Sequence, residues 1–308
     1  MRFKVIIGSA IAVAVAIVGT AIVVGVILGD GSGSSSVGTS VVLLAAGDIA
    51  ECDNQGDEAT ARILAAYPNA TIATLGDNAY EEGTLQEFEN CYDPSWGQFK
   101  DRTRPATGNH DHSTKNAQGY ADYFGSAGGP YDKYYYSYDL GSWHVVVLNS
   151  DCWRVDGCAI DDPQAEWLRD DLEQHQAICT LAVWHRPPFT SGRYGEPSET
   201  ARVRPLWRVL NEEGADVLLT GHEHSYERFQ PMDAEGRPDE AKGVRLFIVG
   251  TGGGNLRPFE NPPLPTTATR QADSWGVLKL DLQSAGYDWT FLPVSGSSYS
   301  DSGTGTCH

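Results

Sequence analysis

The 308-residue chain carries 41 Asp and Glu against 22 Lys and Arg, a formal net charge of -19, and its basic residues are scattered rather than gathered into a run that could follow a nucleic-acid backbone. Nucleic-acid binding is therefore not expected, and an anionic ligand would be repelled at long range unless a site carries concentrated positive charge, which bound metal ions supply well. With residues 1–40 set aside, the remaining length suits one large α/β domain with a full core.

Residues 5–28 form an apolar run without a charged side chain, preceded by Arg2 and Lys4. At 1.5 Å per residue it is long enough to cross the hydrocarbon core of a bilayer. The leading positive charges orient the chain with its N-terminus in the cytoplasm and the rest outside. The segment 1–28 thus reads as a membrane anchor, with a cleaved signal peptide as the alternative. Residues 29–40, GDGSGSSSVGTS, read as a flexible linker with a reach of about 20 Å. Residues 41–308 are then the catalytic domain.

The even number of cysteines, six, fits the oxidising compartment that export implies. Cys152 and Cys158 enclose the short loop WRVDG, so little chain must be closed to join them. Pairing Cys52 with Cys91 then ties together two loops, and pairing Cys179 with Cys307 pins the C-terminal tail. No pair has the CxxC spacing of a zinc site.

From residue 41 apolar runs of strand length alternate with helical patterns: VVLLA, EATARILAAY, TIATL, LQEFENCY. This is the rhythm of βαβ units. Further strands are predicted at WHVVVLN, TLAVWH, DVLLT, VRLFIVG, GVLKLDL and YDWTFLP, and helices at PQAEWLRDDLEQHQ and RPLWRVLNEEG. The last three strands follow one another without helices. The predicted fold class is α/β, with two mixed β-sheets packed face to face and flanked by helices.

Acidic, amide and histidine residues fall just past the ends of these strands. Asp48 follows VVLLAAG, Asp77 follows TIATLG, Asn109 follows RPATG, His185 ends LAVW, and His222 follows DVLLTG, with His224 two residues on. Ligands in α/β sheets bind beyond the carboxyl ends of strands, so loops far apart in sequence can converge there. Together with the phenol Tyr80 these groups suit zinc or first-row transition metals rather than calcium. Seven ligands are too many for one ion. If one carboxylate bridges, they form two four-ligand sets around a metal pair. The glycines before Asp48, Asp77, Asn109 and His222 are expected to permit tight turns, and an extended HEH segment would point both histidines the same way.

The ordered set GDIA, GDNAY, GNHD, VWH and GHEHSYER resembles the calcineurin-like metallophosphoesterase superfamily, and the Tyr of GDNAY and the ending SYER resemble its purple acid phosphatases. The resemblance implies a metallophosphatase-like αββα sandwich. It also implies ferric iron held by Asp48, Asp77, Tyr80 and His224, and a divalent Zn, Fe or Mn ion held by Asp77, Asn109, His185 and His222. His110 maps to an acid or phosphate contact of the family, and Asp111 could orient its imidazole. GDIA departs from the usual GDxG, but Ala50 carries no ligand atom. The implied activity is hydrolysis of phosphate monoesters by a metal-activated water. Phosphodiester or nucleotide hydrolysis is the near alternative, and an inactive, metal-stabilised surface binding module the alternative of another class. GTGGG at residues 250–254 lacks the Lys and Ser/Thr of a phosphate-binding P-loop and reads as a tight turn near the site. Arg186 and Arg228 could meet phosphate or pair with neighbouring acids such as Glu227.

Overall fold

The computed structural model describes residues 40–308. The segment read as anchor or signal peptide, and the linker apart from Ser40, lie outside the described residues. Among the described residues no helix is long and apolar enough to cross a membrane.

The strands, in chain order, are β1 (Val41–Ala46), β2 (Thr71–Leu75), β3 (Thr103–Ala106), β4 (Tyr136–Leu140), β5 (Trp143–Val147), β6 (Cys179–Val183), β7 (Val217–Thr220), β8 (Tyr226–Phe229), β9 (Arg245–Val249), β10 (Thr267–Gln271), β11 (Gly276–Gln283), β12 (Gly286–Pro293) and β13 (Ser302–Thr306). They form a six-stranded sheet, ordered β13-β12-β11-β1-β2-β3, and a seven-stranded sheet, ordered β10-β8-β9-β7-β6-β5-β4. The β1-β2-β3 and β5-β6-β7-β9 pairings are parallel, and the outer pairings are antiparallel. Both sheets are therefore mixed, as the succession of late strands without helices predicts.

The period-two alternation of β5 and β6 divides the core. Val145, Val147, Leu181 and Val183 join the cluster that also holds Leu43, Ala45, Ile72, Leu278 and Leu280 of the first sheet. Their neighbours Val146, Leu148, Ala182 and Trp184 join a second cluster with Leu168, Leu172, Leu206 and Trp207. These last four come from the helices Pro163–Gln174 and Arg204–Glu212, each with proline in its first turn, where the missing N–H costs no helical bond. A strand buried on both faces has little room for polar alternation, so β5, β6 and β7 are mainly apolar runs, interrupted by His144, Thr180 and Thr220.

The three predicted disulfides are present: Cys52–Cys91, Cys152–Cys158 and Cys179–Cys307. The last joins the start of β6 in one sheet to the residue after β13 in the other. The first links the loops that follow β1 and β2 and so steadies the region where Asp48 and Tyr80 lie. These bridges fit a protein of an oxidising, extracellular or secretory compartment.

His144 is buried in β5, where Nδ1 lies 2.9 Å from Asp139 Oδ1 and Nε2 lies 2.7 Å from Asp171 Oδ2. Burial opposes its charge, but the two carboxylates outweigh burial and raise the imidazole above its ordinary 6.5. Burial likewise pushes Asp171 up, and the bond from His144 brings it below its ordinary 3.8. The raised histidine stabilises the fold fully below pH 6.5 and loses that effect as pH rises through its folded value. The lowered aspartate stabilises above pH 3.8 and loses its effect in stronger acid. The pair is thus most effective between these two ordinary values. His144→Gln should destabilise by about 1–2 kcal/mol near pH 5.5 and by clearly less at pH 9. Melting curves at the two pH values check this, and an equal loss at both would remove the ion pair from the account.

Candidate metal centre

The parallel strands of both sheets direct their carboxyl ends to one region. β1, β2 and β3 lead to Asp48, Asp77 and Asn109, while β6 and β7 lead to His185 and to His222 and His224. The turns are sharper than a glycine-hinge reading supposes. Asp48, Asp77 and His222 themselves hold positive φ, at 57°, 49° and 70°. L-residues adopt this left-handed conformation at a cost, and such outliers gather at functional sites. Gly76, before Asp77, also holds positive φ, at 83°, as a tight turn requires, and the other preceding glycines allow close approach. A Cβ on Gly108 would lie 2.2 Å from Asp77 Oδ1, and one on Gly221 would lie 2.6 Å from Asp48 Oδ2. The segment carrying His222 and His224 is likewise not extended: the N–H of Glu223 bonds Gly221 O, and the left-handed His222 turns the chain so that both rings reach the site.

Two donor sets meet at Asp77. In one, Tyr80 Oη lies 3.0 Å from Asp48 Oδ1, 3.1 Å from His224 Nε2 and 3.4 Å from Asp77 Oδ2. His224 Nε2 lies 3.3 Å from Asp48 Oδ1. In the other, His185 Nε2 lies 3.1 Å from the same Asp77 Oδ2 and 3.2 Å from His222 Nδ1. Donors bound to one ion at roughly 2.0–2.2 Å and about 90–110° apart stand roughly 3.0–3.5 Å from one another, so these spacings fit shared metal ions. The structure thus brings six of the seven candidates into mutual contact. The seventh, Asn109, follows Gly108 at the edge of the Asp77 carboxylate, and its Oδ1 is buried without a hydrogen-bond partner. An orphaned amide oxygen, one residue from the glycine that packs on the Asp77 carboxylate, fits a cation better than it fits water-free burial.

The histidines are oriented from behind. His185 Nδ1 donates to Leu75 O at 2.8 Å, and His224 Nδ1 donates to Asn255 O at 2.8 Å, which leaves each Nε2 facing the cluster. Burial lowers the His185 imidazole, but the Asp77 carboxylate overrides it and raises the group to about 9. Burial pushes Asp77 up and the charge of His185 more than reverses this, holding it well below the carboxylate range. A bound cation would take the place of that proton between them. Burial and the neighbouring cations His185 and Arg186 keep His222 neutral, its value far below 6.5. Burial and the charge of Asp48 hold the Tyr80 phenol well above 10.

His110 sits at the open side of the cluster. Its N–H donates to Asp77 Oδ1 at 2.8 Å, its Nδ1 lies 2.6 Å from Glu81 O, and its Nε2 lies 4.0 Å from Asp77 Oδ2. Asp111 does not orient that imidazole. Its buried carboxylate instead accepts from Gly108 N at 2.8 Å and from Asn78 Nδ2 at 3.0 Å, joining the GDNAY and GNHD loops. The reason is the turn itself: Asp111 opens a short 3-10 segment and folds back under Gly108. Arg228 pairs with Asp301 rather than Glu227. Arg186 bonds Asp151 and Glu199 and also lies 3.0 Å from His222 Nε2. The 250–254 glycine turn does border the site, with Gly254 N donating to Asp48 O at 2.8 Å.

Sequence reasoning missed Glu223, Tyr194 and Arg257, which pack around the histidines. Glu223 stands between two candidate ligands, a signal that could have singled it out; Tyr194 and Arg257 carry no motif. Two other groups have donors close together. Cys179, Asp216 and Cys307 have their sulfurs in a disulfide. His144, Asp171 and His175 have imidazoles stacked 4.4 Å apart and nearly parallel, at 8°, so their in-plane lone pairs run side by side instead of converging. Asp77, His185 and His222 have neither obstacle.

The calcineurin-like phosphoesterase family model matches residues 41–226. Among curated proteins the chain is 28% identical to purple acid phosphatase 22 of Arabidopsis thaliana over 163 residues, covering 50% of this chain and 36% of that protein. It is 27% identical to acid phosphatase type 7 of Mus musculus over 190 residues, covering 53% and 43%. The chain therefore spans less than half the length of these relatives. The solved structure of purple acid phosphatase PPD1 from yellow lupin (Lupinus luteus) superposes with a TM-score of 0.69 at 17% identity, covering 87% of this chain and 54% of that one. That likeness establishes the two-sheet sandwich as the fold of these metallophosphatases. The family match runs through the loops that carry Asp48, Asp77, Tyr80, Asn109, His185, His222 and His224, and the chain belongs to the calcineurin-like phosphoesterase family.

Proposed function

We propose that the chain hydrolyses phosphate monoesters at a dinuclear metal centre, with Asp48, Asp77, Tyr80 and His224 holding ferric iron and Asp77, Asn109, His185 and His222 holding a divalent Zn, Fe or Mn ion. The observation that carries this reading is Asp77 Oδ2, which stands 3.4 Å from Tyr80 Oη and 3.1 Å from His185 Nε2 and so belongs to both donor sets. When bound, two ions supply the positive charge that activates water and polarises a phosphoryl group.

The protein's own part is orientation and proton transfer. Leu75 and Asn255 carbonyls fix the His185 and His224 rings, and the Asp77 carboxylate is held by the His110 N–H. We assign His110 the role of donating a proton to the departing oxygen, which requires Nε2 to carry that proton, since Nδ1–H is engaged by Glu81 O; Nε2 faces the cluster and the side chain is 25% exposed and reachable by substrate. Asp111 acts as a positioning residue by holding the loop that carries Asn109 and His110. The three disulfides support export, and the apolar residues 5–28 support a tether on the extracytoplasmic side of a membrane.

Metal-loaded protein should hydrolyse p-nitrophenyl phosphate and should cleave bis(p-nitrophenyl) phosphate more slowly by at least about tenfold in kcat/KM. A chelator should abolish both activities and added metal restore them. Absence of turnover by the folded, loaded protein contradicts the enzyme reading in favour of a binding module. Equal or faster diester cleavage contradicts the monoester preference.

A further inference from the structure

Glu223, between His222 and His224, is 2% exposed and its carboxylate turns away from the metal ligands. It accepts from Tyr194 N at 2.8 Å, Arg193 N at 2.9 Å and Thr190 Oγ1 at 3.1 Å. A Cβ on Gly192 would lie 2.3 Å from that carboxylate, so glycine is what lets the loop close over it. Asn261 Nδ2 holds Gly192 O at 2.7 Å, and the buried Glu227 holds Ser191 through N at 2.9 Å and Oγ at 2.6 Å. Residues 190–194 are thus clamped from below by two buried carboxylates.

The clamp lays the Tyr194 ring on His222, with centroids 4.3 Å apart and planes at 28°. The facing wall is Arg257, three residues beyond the glycine turn. Its N–H donates to His224 O at 3.0 Å, and its Nη1 donates to Tyr194 Oη at 3.1 Å. Tyr194 and Arg257 together therefore span the cluster from the His222 half to the His224 half. The two arginines of the site differ in their partners. Arg186 is neutralised by Asp151 and Glu199, whereas among the described residues Arg257 makes no ion pair within 4.0 Å and spends one N–H on a neutral phenol. A half-buried guanidinium without a carboxylate, in a chain of net charge -19, stands beside the metal centre with donors to spare.

We propose that Arg257, aligned by Tyr194 and by the Glu223 clamp, binds the outer oxygens of the substrate phosphoryl group. This rests on the phosphoesterase reading of the same centre. Arg257 is then a substrate-binding residue, and Glu223 and Tyr194 are positioning residues. The assignment explains why a buried glutamate sits between two ligand histidines without joining them.

The test is titration calorimetry of inorganic phosphate into the metal-loaded protein, alongside kcat and KM for p-nitrophenyl phosphate and metal content by elemental analysis. Arg257→Gln should raise the phosphate Kd and the KM by about tenfold or more, with metal content unchanged and kcat within about threefold. Arg257→Lys should recover part of the affinity. Tyr194→Phe, which keeps the ring on His222, and Glu223→Gln should raise both constants by about threefold to tenfold. A phosphate Kd in Arg257→Gln within about twofold of wild type overturns the proposal, as does wild-type protein that binds no phosphate. If Glu223→Gln loses metal and keeps its phosphate affinity per loaded site, the clamp is shown to serve the histidines and its positioning role falls. Wild-type turnover with unchanged phosphate binding in Arg257→Gln sinks this inference alone. Phosphate binding that weakens in Arg257→Gln, in a protein with no esterase activity, supports the contact and sinks the esterase reading instead.

Discussion

Replacing His222 by alanine should leave a folded protein whose turnover of p-nitrophenyl phosphate falls by at least about a thousandfold. The ring supplies Nδ1 to the donor set of Asp77 and His185, at 3.2 Å from His185 Nε2, and alanine offers no ligand atom. The backbone contact from His222 N to Asp48 Oδ2, at 2.8 Å, is retained. Folding should survive because both apolar clusters and the three disulfides lie elsewhere, and the left-handed backbone at a φ of 70° already burdens the wild-type histidine, so alanine adds little new strain there. His222→Asn, which tolerates the left-handed conformation better, separates lost chemistry from backbone strain. Circular dichroism melts, metal content and kcat on the same preparations check this. Near-normal kcat with full metal content in the alanine variant would remove His222 from the centre.

Tyr80→Phe should bleach the visible absorption expected of the iron-loaded protein and should weaken metal retention without abolishing it. Phenolate is a strong donor to a hard trivalent ion, and charge transfer between them gives colour. In the metal-free chain the phenol is driven the other way: burial, then the carboxylates Asp48 and Asp77, hold it protonated well above 10. Only a strong local cation can reverse that balance, which makes the colour a direct report of Tyr80 ligation. Asp48, Asp77 and His224 remain to bind the ion in the variant, at mutual distances set by the same turns. An absorption band that persists at full intensity in Tyr80→Phe contradicts the phenolate assignment. The other six residues are untouched by that result.

The elements legible in the sequence were those whose two faces differ, or whose apolar run is long. β1, β2, β5, β6, β7, β9, β11 and β12, and the helices Gly56–Ala65, Pro163–Gln174 and Arg204–Glu212, all coincide with predicted segments. β8 and β10 were not legible. β8 is the short YERF stretch inside GHEHSYER, whose polar residues are buried against Asp301 and Ser191 rather than exposed, and β10, TATRQ, is an edge strand without an apolar face. β13, SGTGT, is held by its pairing with β12 and by the Cys179–Cys307 bridge, not by side-chain pattern.

The candidate ligands were visible because each follows a strand, and strand ends are local features. The causes of their geometry were not. Asp48, Asp77 and His222 hold positive φ where Gly108 packs on Asp77 and Gly221 on Asp48, contacts between residues far apart in the chain. Asp111 was assigned to the His110 ring because it is the next residue, whereas the chain folds it onto Gly108 and Asn78 across the loop. Tyr194 and Arg257 meet across 63 positions of sequence, and no local spacing announces such a contact.

Elemental analysis of purified, active protein, with turnover measured on the same sample before and after chelation, tests the dinuclear centre most directly. The account predicts about two metal ions per chain, one of them iron, and activity that falls in step with their removal. Full activity in protein carrying less than about one metal ion per chain would contradict it.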